Sequence, residues 1–241
     1  MSAHLRSDTL QHTEETLREV CFLLEVRYGK PYREPLPLDN KQNPLDELIF
    51  IILSLKASEH GFGRVFGALK EVFPSWDLAL DSAPEKLENI IKPAGLSRQK
   101  APRIRAILEA LKSREGKTSL DFLALMPVAE AEDYLLSLPG VGAKAARCIL
   151  MYSLGAEVFP VDTHVLRIFK RLGLVPAGLG RKKAHNIIQN MVPPPIRYSL
   201  HVNMVIHGRN ICATVRPRCV TCPLTHLCLS FPNGPFPGVT P

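Results

Sequence analysis

Lys144, Asp162 and a crowd of four cysteines are the side chains here whose types and spacing suit chemistry. Lys144 closes the stretch Leu138-Pro139-Gly140-Val141-Gly142-Ala143-Lys144. An amphipathic run ends at Leu136, a tight Pro-Gly-x-Gly turn follows, and a new helical pattern opens at Ala143. Gly140 and Gly142 let a ligand approach the backbone closely and supply conformations that a side chain would forbid. The free N–H groups and dipole of the helix N-terminus favour an anion such as phosphate. A lysine in that first turn is badly placed for a positive charge. This is a cost for a structural lysine and suits one that reacts as a neutral amine. A plain helix–turn–helix corner with a solvated lysine fits the same residues.

Of the six cysteines, Cys21 and Cys148 stand alone in helical patterns, as packed thiols do. Cys212, Cys219, Cys222 and Cys228 follow the spacing C-x6-C-x2-C-x5-C. The N-terminus has no apolar core or cleavage pattern of a secretory signal. Clustered cysteines in that setting argue for metal ligation over a disulfide framework. Four thiolates this close suit either zinc or an iron–sulfur cluster. A short irregular loop has little apolar area to bury, so the metal would be its staple. Arg209, Arg216 and Arg218, beside or within the loop, fit a grip on phosphate and equally an ordinary charged surface.

The elements that must position these groups read as helices. With 46% hydrophobic and 22% charged residues, the composition is that of a globular protein and excludes disordered and fibrous classes. A chain of 241 residues is long enough for one large domain or two small ones. The net charge of +7 hints at a polyanionic partner. The longest apolar run, Leu48 to Leu53, is too short to span a bilayer, so no membrane partner is expected. Helical periodicity predicts helices over Thr13–Tyr28, Asp46–Ala57, Phe62–Val72, Pro84–Ile91, Arg98–Ser113 and Ala129–Leu136. Beyond the glycine turn it predicts Ala143–Leu154, Thr163–Leu172, Lys182–Met191 and Ile196–Asn210. Asp46–Ala57 is apolar nearly all round and belongs inside the core. Asp162 makes a good N-cap for the helix after it. No run of paired strands is evident, so the fold class is all-α.

Three motifs then occur in order: Leu138-Pro139-Gly140-Val141-Gly142-x-Lys144, Val161-Asp162-Thr163-His164, and the cysteine spacing. Together they resemble the endonuclease III family of DNA glycosylases, in the helix–hairpin–helix superfamily of base-excision repair enzymes. The match runs from about Leu45 to Cys228. The resemblance implies a six-helix barrel over 37–156 with the hairpin at about 136–143. It implies a second helical domain from both chain ends (1–36 and 157–230) around a [4Fe–4S] cluster. Cys212, Cys219, Cys222 and Cys228 of loop 212–228 would hold that cluster, and a Pro/Gly-rich tail (231–241) would follow.

The resemblance also implies roles. Lys144 matches the nucleophilic lysine and Asp162 the catalytic aspartate. As a damaged pyrimidine leaves, C1′ gains oxocarbenium character that a carboxylate can stabilise. The neutral amine attacks C1′, and the Schiff base promotes β-elimination of the 3′-phosphate. A target base must leave the stack first, and Leu96 matches the wedge that fills the gap. Gly140, Gly142, His164, Arg216 and Arg218 are further candidate DNA contacts. The family commonly reads Leu-Ser-Ala-Gln-Ala-Thr-Asp where this chain has Leu53-Ser54-Leu55-Lys56-Ala57-Ser58-Glu59. Lys56 thus replaces a glutamine and cannot accept hydrogen bonds as an amide does. That puts substrate range in question.

The expected function is a bifunctional glycosylase and AP lyase acting on oxidised pyrimidines. Its partner would be double-stranded DNA with damaged bases or abasic sites, and the protein would be a cytoplasmic, nucleoid-associated monomer. A monofunctional adenine or mismatch glycosylase is the close alternative, but its hairpin would lack Lys144. A non-catalytic helix–hairpin–helix DNA-binding protein would not need the lysine–aspartate pair. An electron-transfer protein has only the cysteines in its favour.

Overall fold

A computed structural model describes residues 3–55 and 61–231, with the side chains of the first helix described from His12 onward. Lys56 lies outside the described residues, as do Ala57 and most of the Pro/Gly-rich tail. Eleven α-helices and no strand occur among the described residues. They are α1 (Ala3–Tyr28), α2 (Pro44–Ser54), α3 (Phe62–Val72), α4 (Trp76–Asp81), α5 (Pro84–Ile91) and α6 (Ser97–Glu115), followed by α7 (Val128–Ser137), α8 (Ala143–Tyr152), α9 (Thr163–Arg171), α10 (Arg181–Met191) and α11 (Arg197–Asn210). The all-α expectation holds. The periodicity missed the short α4 and started α1 too late. The chain divides into two compact units, Leu38–Ala156 and Met1–Pro37 with Glu157–Pro241.

Unit 38–156 is built on α2. Asn43 caps it, its Oδ1 accepting from the Leu45 and Asp46 amides at 3.1 and 3.0 Å, and Pro44 opens the first turn. Such a cap contributes about 1 kcal/mol. Leu48 through Leu53 are all buried, because α3, α6 and α8 pack around the helix. Each such side chain contributes roughly 1.5–3 kcal/mol on burial. Three charged groups are buried with them: Glu47, Lys100 and Arg147.

Two of these charges tie elements together. The Lys100 ammonium donates to the carbonyls of Leu53 (2.7 Å) and Ala94 (2.8 Å), joining the end of α2 to the turn that carries Leu96. Arg147 of α8 donates to Glu132 of α7 at 2.8 Å, which clamps the two helices of the hairpin. A buried charge left without such partners would be strongly destabilising.

In the other unit, α1 packs on α11 and α10, and α11 packs on α9. Leu17, Val20 and Leu24 of α1 meet Val165 and Phe169 of α9 and Leu200 and Met204 of α11 in one core. Residues from both ends of the chain thus build a single core. No described helix is long and apolar enough to cross a membrane.

Candidate active site

The glycine turn joins α7 to α8 as the sequence predicts. Leu138 and Val141 are buried on its inner side, and the Val141 amide donates to the Leu138 carbonyl at 3.1 Å. Gly140 has φ 69°, a left-handed conformation that an L-residue adopts only with strain. Arg103 of α6 donates to the Gly140 carbonyl, and a Cβ on Gly140 would collide with that guanidinium. Gly142 corrects the sequence reading. Its φ of −113° and ψ of 170° are extended backbone open to any residue, and a Cβ there would meet nothing within 4 Å. Its missing side chain leaves room at the surface instead.

Lys144 is the second residue of α8 and is half-buried. The first turn of α8 contains no acidic residue and no side-chain cap, so its dipole meets no compensating anion in that turn. Glu47 lies on α2, which packs against α8, and is fully buried. Its Oε2 accepts from the Lys41 amide at 2.6 Å, and its Oε1 has no hydrogen-bond partner. Burial pushes its carboxyl up to about 7, against the Lys41 amide and the charges of Lys144 and Lys41. The folded state therefore holds a proton that the unfolded chain releases near 4.5, and the stability this gives is lost as pH rises through about 7. Sequence reading missed Glu47. The available signal was an acid placed inside a helix otherwise read as apolar all round.

Leu96 is 41% exposed, so it is not core, and it holds φ 54° and ψ 31°. Its carbonyl accepts the Gln99 and Lys100 amides that start α6. A leucine kept left-handed at the surface is strained, and such strain clusters at functional sites.

In the other unit, Asp162 caps α9, its Oδ1 accepting from the Val165 amide at 2.8 Å. His164 is half-buried beside Gly208 of α11, where a Cβ would come within 2.6 Å of the His164 Cβ. Arg167 donates to the Gly208 carbonyl (2.8 Å) and contacts the His164 Nδ1 (3.0 Å). Since arginine only donates, Nδ1 is the acceptor and the ring is neutral there. Burial, with Arg167 adding to it against Asp162, lowers the His164 pKa.

Arg167 and Arg171 were not singled out in the sequence, yet they carry α9 into the cysteine loop. Arg167 donates to the Cys212 carbonyl at 2.8 Å, and Arg171 donates to the Cys212 Sγ at 3.1 Å and the Ala213 carbonyl at 2.8 Å. Cys212, Cys219, Cys222 and Cys228 are unpaired and line one concavity together with Arg171 and Phe231. Burial pushes the Cys222 thiol up to about 11, and the neighbouring cysteines push it further against a backbone hydrogen bond. Cys219 and Cys228 are raised first by burial as well. Thiolates gathered there need a cation to exist together. Among the described residues, no three His, Cys, Asp or Glu side chains are arranged to hold a single metal ion. Arg216 and Arg218 are exposed on this loop, Arg216 at φ 50°.

Helices α7 and α8, joined by the glycine turn, form a helix–hairpin–helix. Residues 52–194 match the family described as HhH-GPD superfamily base excision DNA repair protein, and the chain belongs to that family. It is 35% identical over 183 residues to a putative DNA glycosylase of Arabidopsis thaliana, covering 76% of this chain and 62% of that protein. DEMETER-like protein 2 of the same plant is 33% identical over 66% of this chain, which spans 13% of its length. Endonuclease III of Haemophilus influenzae is 29% identical over 88% of this chain and 94% of its own. Among solved structures, a non-covalent endonuclease III–DNA complex superposes with a TM-score of 0.77 at 26% identity, covering 90% of this chain and 95% of that one.

The two hairpin glycines separate by substitution. Gly140→Ala is expected to lower the unfolding free energy by about 1–2 kcal/mol through left-handed strain, since the flexible Arg103 side chain can swing clear of the new methyl group. Gly142→Ala should stay within roughly 0.5 kcal/mol of the parent. Denaturant melts of both variants check this; equal losses would contradict the assignment.

Proposed function

We propose that this protein is a bifunctional DNA glycosylase and AP lyase that removes oxidised pyrimidines from double-stranded DNA and cleaves the abasic site by β-elimination. The observation that carries this reading is Lys144 in the first turn of a helix opened by the glycine hairpin, in a chain of the base-excision repair family. The names of its relatives, glycosylase and endonuclease III, and the DNA bound in the superposing structure support DNA as the substrate.

In this reading the hairpin amides and the uncapped start of α8 bind the backbone phosphates, as an electropositive helix terminus favours. Leu96 enters the stack when the lesion base leaves it. The Lys144 amine lone pair attacks C1′ as the bond to the base breaks, and the base departs with that bond's electron pair. The Asp162 carboxylate, fixed by its capping bond, stabilises positive charge at C1′ and accepts the amine proton. The nitrogen lone pair then breaks the C1′–O4′ bond, and O4′ takes that bond's electrons and the proton that Asp162 accepted. The Schiff base so formed acidifies C2′; loss of the C2′ proton expels the 3′-phosphate with the electrons of the C3′–O bond. His164, Arg216 and Arg218 contact the DNA from the second unit, and Lys56 tunes substrate range.

The four cysteines would hold a [4Fe–4S] cluster. They fit one, since four partly buried thiols ring a single concavity and need a cationic centre to ionise. When bound, the cluster supplies a structural staple for the loop. Iron analysis should give about four irons per chain in a [4Fe–4S] protein, and a Cys222→Ser variant should lose them; one zinc per chain would sink the assignment.

Borohydride reduction in the presence of abasic duplex DNA tests the reaction. The parent protein is expected to form a covalent adduct, and Lys144→Gln to form none while binding the same duplex within about threefold of the parent affinity. A parent that binds but never cross-links would instead be a non-catalytic or monofunctional member of the family.

A further inference from the structure

Glu47 has no part in the chemistry just described, yet its surroundings are built around it. It sits on α2, which packs against α8, the helix that carries Lys144. The side chain is fully buried, one oxygen is held by the Lys41 amide at 2.6 Å, and Oε1 has no hydrogen-bond partner. A core position filled for packing alone would be better served by leucine, because an unsatisfied buried acceptor is costly.

Resting on the assignment of Lys144 as the nucleophile, we propose that Glu47 is a positioning residue that holds the Lys144 proton while the amine is neutral. The ammonium gives up one N–H bond, whose electron pair stays on nitrogen as the attacking lone pair. The proton forms an O–H bond at Glu47 Oε1, directly or through one water. The pair has no net charge before or after the transfer.

Two effects weigh against the charged pair and oppose its Coulomb attraction. Burial disfavours the carboxylate and raises Glu47 to about 7. The positive end of the α8 dipole disfavours the ammonium. Lys41 and Lys144 are the cations whose charge reaches Glu47, and the Lys41 ammonium itself lies over the Phe50 and Phe66 rings. The other cations near α2 are engaged: Lys70 of α3 with Asp46, Lys100 of α6 with the Leu53 and Ala94 carbonyls, and Arg147 of α8 with Glu132.

A shared proton has a kinetic signature. Once the first proton has left the pair, the neutral-amine fraction no longer depends on pH, so the rate levels off. A lysine without the acid gains neutral amine about tenfold per pH unit up to its own pKa. The experiment is single-turnover borohydride trapping of the full chain on abasic duplex DNA from about pH 6 to about pH 9.5. The parent rate is expected to level off above about pH 7, while E47Q is about tenfold slower at pH 7, climbs with pH and meets the parent near about pH 9. E47D should restore part of the plateau. A merely structural role would shift E47Q by the same factor at every pH, and parallel profiles would overturn the proposal.

If the parent gives no Lys144-dependent adduct, the nucleophile assignment fails and takes this proposal with it. If the adduct depends on Lys144 but the profiles run parallel, only Glu47 falls. A test independent of E47Q folding is the NMR titration of the Glu47 carboxyl in the parent and in K144Q. Removing the lysine charge should raise the Glu47 pKa; an unchanged value would overturn the coupling.

Discussion

A charge buried among apolar helices has to be compensated, and the geometry of unit 38–156 follows from how three such charges are met. Lys100 is met by carbonyls at the end of α2 and in the turn before Leu96. Arg147 is met by Glu132 across the hairpin. Glu47 is met on one oxygen only. Each compensation fixes a neighbour in place: Lys100 the Leu96 turn, Arg147 the α7–α8 angle, Glu47 the Lys41 strand of chain. The Lys41 carbonyl in turn accepts from Ser153 at the end of α8, so the segment is pinned at both faces.

In the other unit α9 plays the corresponding part. Asp162 caps its start, His164 rests on Gly208 of α11, and Arg167 and Arg171 grip the cysteine loop. One rigid helix therefore connects the carboxylate to the proposed cluster loop. The cluster proposed for this loop would then act as a mechanical staple at the far end of α9.

The parts of this design that were legible in the sequence are those where residue type dictates local geometry. The Pro-Gly-x-Gly turn, the Asp162 cap and the helical periodicity all rest on interactions within a few residues. What escaped depends on partners distant in the chain. Glu47 was absorbed into an apolar helix because periodicity measures the average of a face and hides one polar position within it. Arg167 and Arg171 look like surface charges until α9 and the loop after α11 are brought together. The strain at Leu96 follows from the turn held by Lys100, which no local propensity encodes. Gly142 shows the opposite error: a glycine read as conformationally required sits in backbone that any residue could adopt.

All of this converges on Lys144, in the first turn of a helix whose N-terminal dipole disfavours a positive charge. The most direct measurement is peptide mass mapping of the protein after borohydride reduction on abasic duplex DNA. The expected result is the reduced sugar remnant on the Nζ of Lys144 and on no other residue. A remnant on another lysine or on the N-terminal amine would contradict the assignment of Lys144, and full binding with no adduct would contradict the lyase reading altogether.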